Sequence, residues 1–334
     1  MNEEIRAASE KAVIIGAGPC GLSAALELQE VGIEPLLIEK NAVVHSIYQY
    51  PIYLQFFSTA ELLEIGGIPF TSVNEKPMRR EALQYYRDVA LRRKLRIRAY
   101  ETATSIVPLE DGSFLVETVD RFGRASSYAT KNVIVATGYF DHPNMLGIPG
   151  EQLPKVSHFF QEAHPYTGMK VAIIGGNNSA VDAAMELLRV GADVTVVYRG
   201  EDYSPSIKPW VRPLFEGNVN KGKIRMLFSS RIVRIDAGTV TVQPNGEDAP
   251  AYDIDNDFVL AMTGFRPERT LLTDAGAFVD VETTVPAFDP ATMETNVPGL
   301  FIAGVIAAGR EANEIFIESG RQHGTLIARR IAEV

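Results

Sequence analysis

Residues 12–21 read Ala12-Val13-Ile14-Ile15-Gly16-Ala17-Gly18-Pro19-Cys20-Gly21, and this stretch decides the fold. Ala12 to Ile15 is a short apolar, β-branched run, the composition of a strand buried on both faces of a parallel sheet. Leu22 to Val31 carries apolar residues at helical spacing and stops at Gly32. Pro35 to Ile38 returns as a second strand that ends in Glu39. Together they make a βαβ unit of about 30 residues. Gly16 allows the tight turn, Gly18 lets the backbone approach a pyrophosphate, and Gly21 lets the helix pack against the strand. Pro19 and Cys20 complete the turn. The helix N-terminus offers free N–H groups and a partial positive charge to phosphates. Glu39 stands where an acid accepts from ribose hydroxyls. Its charge repels a 2′-phosphate, so the site suits FAD or NAD rather than NADP.

The pattern recurs. Lys170 to Ile174 is a strand, and Gly175-Gly176-Asn177-Asn178-Ser179-Ala180 is a second turn. A helix follows from Val181 to Val190, ending at Gly191, and Asp193 to Val197 is the return strand. Asn177 replaces the middle glycine, and asparagine tolerates left-handed backbone better than most residues. The return strand ends in Tyr198-Arg199 rather than an acid. An arginine there pairs with a 2′-phosphate through a charge-assisted bond, which favours NADPH over NADH.

The chain has 334 residues, enough for two ordinary domains, and its composition is that of a globular protein. A net charge of −10 argues against nucleic acid or an anionic membrane as partner. No apolar run is long enough to span a bilayer, and the acidic N-terminus is unlike a secretory signal, so a cytoplasmic location is expected. Cys20 is the only cysteine, which excludes an internal disulfide and a Cys-x-x-Cys pair. The five histidines show no ligand spacing, so no metal site is expected.

Further segments support a family resemblance. Lys131 to Gly138 reads Lys-Asn-Val-Ile-Val-Ala-Thr-Gly, Gly299 to Gly304 reads Gly-Leu-Phe-Ile-Ala-Gly, and Met262 to Pro267 reads Met-Thr-Gly-Phe-Arg-Pro. With the two turns, these resemble the two-dinucleotide-domain flavoproteins over essentially the whole chain. Ser157-His158-Phe159-Phe160, His164-Pro165-Tyr166 and Gly304 to Arg310 running into Asn313 to Gly320 make the chain similar to thioredoxin reductase-like proteins and, more closely, to the bacillithiol-disulfide reductase family.

The resemblance implies an α/β fold of two Rossmann-like, three-layer dinucleotide-binding domains. FAD would occupy a discontinuous domain of residues 1–155 and 285–334, and NADPH an inserted domain of residues 156–284. FAD contacts are expected from Gly16, Gly18, Pro19, Cys20, Gly21, Glu39, Lys40, Ser46, Ala136, Thr137, Gly138, Gly304 and Val305. NADPH contacts are expected from Gly175, Gly176, Asn177, Asn178, Ser179, Ala180, Tyr198, Arg199, Thr263 and Gly264. Val305 stands where relatives carry an aspartate that binds the ribityl chain. A C-terminal helix is expected from about Glu314 to Ala332, capped by Asn313.

The resemblance also marks Cys20 as a redox cysteine. A helix N-terminus lowers a thiol pKa and favours attack on a disulfide. His158 and His164 flank the entry to the second unit and are candidates to protonate a leaving thiolate. The implied activity is NADPH-dependent reduction of a low-molecular-weight disulfide, that of bacillithiol, in a cytoplasmic homo-oligomer. Two alternatives stand beside it. One is a flavin-containing monooxygenase, which the Asn178-Ser179-Ala180 turn also fits. The other is a reductase of a small redox protein such as ferredoxin or bacilliredoxin.

Overall fold

A computed structural model describes residues 7–246, 249–310 and 314–333. The chain divides into two compact units. The first comprises Met1–Gln49, Tyr53–His142 and Phe265–Val334; the second comprises Tyr50–Ile52 and Pro143–Gly264.

The first unit is built on a five-stranded parallel sheet in the order Leu300–Ile302, Val133–Val135, Val13–Ile15, Leu36–Glu39, Arg96–Ala99. Its central strands are Val, Ile and Leu throughout and are buried on both faces, as a covered parallel sheet requires. On the Pro19–Glu30 helix, which packs against the central strand, Leu22, Leu26 and Leu28 are each fully buried. Each such side chain stabilises the fold by about 1.5–3 kcal/mol. On its other side lies the His323–Ala332 helix, so close that a Cβ on Gly324 would stand 2.8 Å from the Ala24 backbone. A second sheet pairs Ala8–Glu10, Ala125–Thr130, Phe114–Asp120 and Glu101–Pro108.

The second unit repeats the plan. Its parallel sheet runs Ile224–Leu227, Asp193–Val197, Lys170–Ile174, Phe258–Ala261, Val156–Ser157. Ser230–Ile235, Thr239–Pro244 and Tyr252–Asp255 form an antiparallel companion. In both units the first βαβ strand is central, and its neighbours on either side come from different parts of the chain. The strand order reverses there, which opens a crevice at the carboxyl ends of the strands. Both glycine-rich turns lie at that edge.

The units divide at 142/143 and 264/265, not at 155/156 and 284/285. The reason is packing. Leu146, Ile148 and Leu153 lie against the second unit's core of Ile232, Ile235, Val240, Val242 and Val259. The two chain crossings are also bonded to each other: Asn144 N–H donates to Gly264 O at 2.9 Å, and the Thr263 hydroxyl donates to Asn144 O at 2.7 Å. Beyond Gly264 the chain rejoins the first unit. There the Thr270–Asp274 helix packs on the Glu101–Pro108 strand and Leu272 is fully buried.

The long C-terminal helix expected from the sequence is two pieces, Ile317–Gly320 and His323–Ala332. Arg321 lies between them and reaches back, donating to the carbonyl oxygens of Glu61 and Glu64, while its own carbonyl accepts from Ser23 Oγ at 2.8 Å. These long-range bonds hold the segment where the helix is interrupted. The expected cap, Asn313, lies outside the described residues.

Candidate functional site

The first turn is defined by close backbone approaches. Gly16 takes φ +109°, and a Cβ there would stand 2.4 Å from Ala136 O. A Cβ on Gly21 would stand 2.0 Å from Gly16 O. Both glycines are therefore required by the fold itself. Gly18 is different. Its φ of −75° and ψ of 176° suit any residue, and a Cβ there would meet nothing within 4 Å. Among the described residues nothing demands glycine at 18. Beside the turn, Thr137 Oγ1 and His45 Nδ1 are buried without a hydrogen-bond partner among the described residues. Buried polar atoms are nearly always paired, so these orphans point to a missing bonded group. The cradle and the donor set fit a pyrophosphate-containing nucleotide.

Glu39 does more than its sequence position implied. Its carboxylate is buried and accepts the Ala17 N–H at 2.8 Å and the Asn41 N–H at 2.8 Å. It ties the turn to the end of the second strand. Burial raises its pKa, and the two backbone N–H groups oppose that rise. Each carboxylate oxygen keeps acceptor capacity for a ribose hydroxyl. Lys40 pairs with Asp141. Ser46 lies in the short His45–Gln49 helix.

Cys20 behaves differently from its local expectation. Its sulfur packs between two glycines of the C-terminal region. A Cβ on Gly304 or on Gly320 would stand 2.8 Å from Sγ. Burial pushes the thiol pKa up to about 12. This rise runs against the lowering expected from the helix N-terminus. Gly304 and Val305 open a short 3-10 turn, Gly304–Ala307. Gly304 N–H donates to His323 Nδ1 at 3.1 Å. Nothing in the sequence pointed to His323 as a partner of Gly304 or to Gly320 as a neighbour of Cys20, because these partners lie far apart along the chain.

In the second turn, Gly175 repeats Gly16: φ is +133°, and a Cβ would stand 2.5 Å from Met262 O. Asn177 sits at φ −94°, ψ −174°, so the left-handed backbone that asparagine tolerates is not used. Gly176 faces the Tyr198 ring, whose atoms lie 2.5 Å from a hypothetical Cβ. The missing side chain at 176 thus seats Tyr198. Asn178 is engaged within the unit: its Nδ2 donates to Ser206 O at 2.8 Å and its Oδ1 accepts from Lys208 N at 2.9 Å. Lys208 Nζ also pairs with Asp182 at 2.8 Å. These bonds clip the loop after the return strand onto the helix that Ala180 enters. Ser179 and Arg199 are exposed, and among the described residues Arg199 has no ion-pair partner. Thr263 and Gly264 serve the crossing described above.

The structure separates the two candidate histidines. His158 follows the Val156–Ser157 strand at the carboxyl edge of the second unit's sheet. It is largely buried, with Nε2 3.3 Å from Glu151. Glu151 in turn accepts the Leu146 and Gly147 N–H groups at 2.6 and 2.8 Å. His164 is exposed in the His164–Tyr166 turn, whose Tyr166 packs edge-on against Phe258 at the start of its strand. It lies at the opposite edge from His158 and the glycine turn. Among the described residues no group of His, Cys, Asp or Glu could hold a metal ion, and no helix is long and apolar enough to cross a membrane.

Residues 13–304 match the model of the pyridine nucleotide-disulphide oxidoreductases. The chain is 51% identical over 324 residues to the bacilliredoxin reductase Bdr of Bacillus subtilis, covering 97% of this chain and 98% of that one. It is similar to the solved bacillithiol disulfide reductase Bdr of Bacillus cereus, with a TM-score of 0.94, 50% identity and coverage of 97% and 99%. It is likewise similar to that of Staphylococcus aureus, with a TM-score of 0.90, 45% identity and coverage of 97% and 98%.

Two predictions follow from this geometry. Gly21→Ala drives a Cβ into backbone and lowers the stability of the nucleotide-free protein by about 1–3 kcal/mol or more. Gly18→Ala leaves that stability unchanged but weakens nucleotide binding about ten- to a hundredfold. Thermal melts and nucleotide titrations separate the two; equal stability losses would remove the case for an external ligand at Gly18. For Cys20, labelling by a thiol reagent at neutral pH is slow in the native protein and fast after denaturation, with at least a hundredfold contrast, about 2.7 kcal/mol. Fast labelling of the native protein would show an accessible thiolate.

Proposed function

The chain belongs to the pyridine nucleotide-disulphide oxidoreductase family and, within it, to the bacillithiol disulfide reductases, and from that premise we propose that it is an FAD enzyme that uses NADPH to reduce a disulfide of the bacillithiol system. The observation that carries the reading is the match to relatives so named over nearly the whole chain. When bound, FAD and NADPH supply the two-electron chemistry, by which one NADPH and one proton convert a disulfide into two thiols.

The first unit's turn would hold the FAD pyrophosphate, with Gly18 leaving room and the Pro19–Glu30 helix offering its first N–H groups. Glu39 would fix the turn and receive ribose hydroxyls, and Thr137 would donate its unpartnered hydroxyl. The second unit's turn would hold NADPH, with exposed Arg199 binding the 2′-phosphate and Ser179 close to the helix start. Cys20 acts as a packing residue that wedges the first helix against Gly304 and Gly320. Glu151, beside His158, holds its segment through the Leu146 and Gly147 N–H groups. A second acceptor deserves a place in the test, because the Bacillus subtilis relative is named for bacilliredoxin, a protein.

Arg199→Ala raises the KM for NADPH about tenfold or more, the value of one charge-assisted bond, and leaves that for NADH unchanged. An unchanged preference would remove the 2′-phosphate role. The activity is tested under anaerobic conditions by NADPH consumption with bacillithiol disulfide and, separately, with a mixed disulfide of bacillithiol and bacilliredoxin. Turnover with either is the expected result. Failure with both, by protein that holds FAD and is reduced by NADPH, refutes the substrate assignment.

A further inference from the structure

The Leu300–Ile302 strand ends at the carboxyl edge of the first unit's sheet. Its last bond to the sheet is Ala303 N–H to Val135 O, at 2.9 Å. The next amide, Gly304, points away from the sheet and has one partner, His323 Nδ1 at 3.1 Å. Gly304 takes φ +79°, Cys20 crowds the place where its Cβ would be, and the Gly304 Cα in turn lies 3.0 Å from where a Cβ of Gly320 would be. The Gly304–Ala307 turn is therefore aimed by its backbone, and the bond to His323 helps to set that aim. Val305 has no side-chain donor or acceptor. Whatever this turn offers a flavin comes from its backbone.

Resting on the flavin reading above, we propose that His323 is a positioning residue for the flavin-seating turn, and that protonation of its Nδ1 releases the turn and weakens flavin retention. A ring nitrogen accepts a hydrogen bond only when unprotonated, and both nitrogens of an imidazolium are donors. Acid thus sets an N–H against the Gly304 N–H. Burial lowers the His323 pKa below its ordinary value of 6.5. The unfolded chain therefore takes up the proton first. The stabilising effect of the bond is complete above about pH 6.5 and is lost as pH falls through the lower folded value.

Few other groups are placed to interfere. The Pro19–Glu30 helix brings Cys20, whose thiol pKa burial raises. The Ile317–Gly320 helix brings Glu318, bonded to Ser58 Oγ at 2.7 Å. Arg321 is spent on the carbonyl oxygens of Glu61 and Glu64. The Gly304–Ala307 turn and the Val133–Val135 strand bring no titratable side chain.

The test follows flavin and fold separately. Holoprotein is equilibrated at steps from about pH 7.5 to about pH 5, spanning the histidine range. Retained flavin is read from the absorbance of the gel-filtered protein, and the melting midpoint of flavin-stripped protein is measured over the same steps. Wild-type flavin affinity falls with acid, by up to about tenfold per pH unit for one linked proton. His323→Asn places an amide oxygen near the position of Nδ1 without titrating, and it keeps flavin across the range. His323→Leu, with no acceptor, releases flavin at neutral pH. The proposal is overturned if His323→Asn loses flavin along the wild-type curve, and equally if His323→Leu binds as wild type does. Should His323→Leu not fold, the Asn curve decides. Should wild-type protein hold no flavin at neutral pH, the functional reading fails instead. The stripped protein then decides the proposal: acid must lower the wild-type midpoint and spare that of His323→Asn.

Discussion

The carbonyl oxygen of Gly16 lies where a Cβ of residue 21 would have to be, and that of Ala136 lies where a Cβ of residue 16 would be. This double approach of backbone to backbone sets the geometry of the first unit. It brings the start of the Pro19–Glu30 helix onto the end of the central strand and sets the neighbouring Val133–Val135 strand beside them. Glu39 then bonds the turn from the opposite side through the Ala17 amide. Packing density in a protein interior leaves no slack for a methyl group at such a point. The helix N-terminus, with its partial positive charge, is consequently held to the place where a nucleotide phosphate would sit.

The two units realise one plan with different chemistry. Both use a glycine at the first turn position for the same steric reason, as Ala136 O and Met262 O show. They differ at the third position. Gly18 is open, whereas Asn177 carries a side chain on extended backbone. They differ again at the second strand's end. A buried acid bonds the first turn, while the Tyr198 ring seats on Gly176 and leaves Arg199 exposed. The first arrangement draws its acid inward onto the turn, and the second leaves Arg199 at the surface with no ion-pair partner among the described residues. A donor that must arrive and leave suits an exposed, screened charge better than a buried one.

The features legible in the sequence are those whose causes are local. Strand runs, helix periodicity and turn glycines are set within a βαβ unit, and the Lys170–Ile174 and Asp193–Val197 strands fall where their residues place them. The features that escaped depend on partners far along the chain. The domain edges moved because Leu146, Ile148 and Leu153 found a core formed about 80 residues later. The C-terminal helix is interrupted at Arg321, whose side chain and carbonyl bond to Glu61, Glu64 and Ser23, all far away along the chain. His158 and His164 look equivalent in sequence, yet the strand between them and the glycine turn puts them at opposite edges of one sheet.

At Cys20 a local and a tertiary effect on the thiol oppose each other. At a helix N-terminus the dipole stabilises a thiolate by roughly 0.3–1 kcal/mol, less than one pKa unit. Burial can raise a thiol by up to about 3–5 units. Which one wins is decided by the depth of the sulfur, and depth is a tertiary property. Here Gly304 and Gly320, both without side chains, close over Sγ, and the thiol is held up near 12. The same closure explains why residue 20 is small. A larger side chain would push apart the first helix, the Gly304 turn and the C-terminal segment, and would break the contact by which His323 reaches the Gly304 amide.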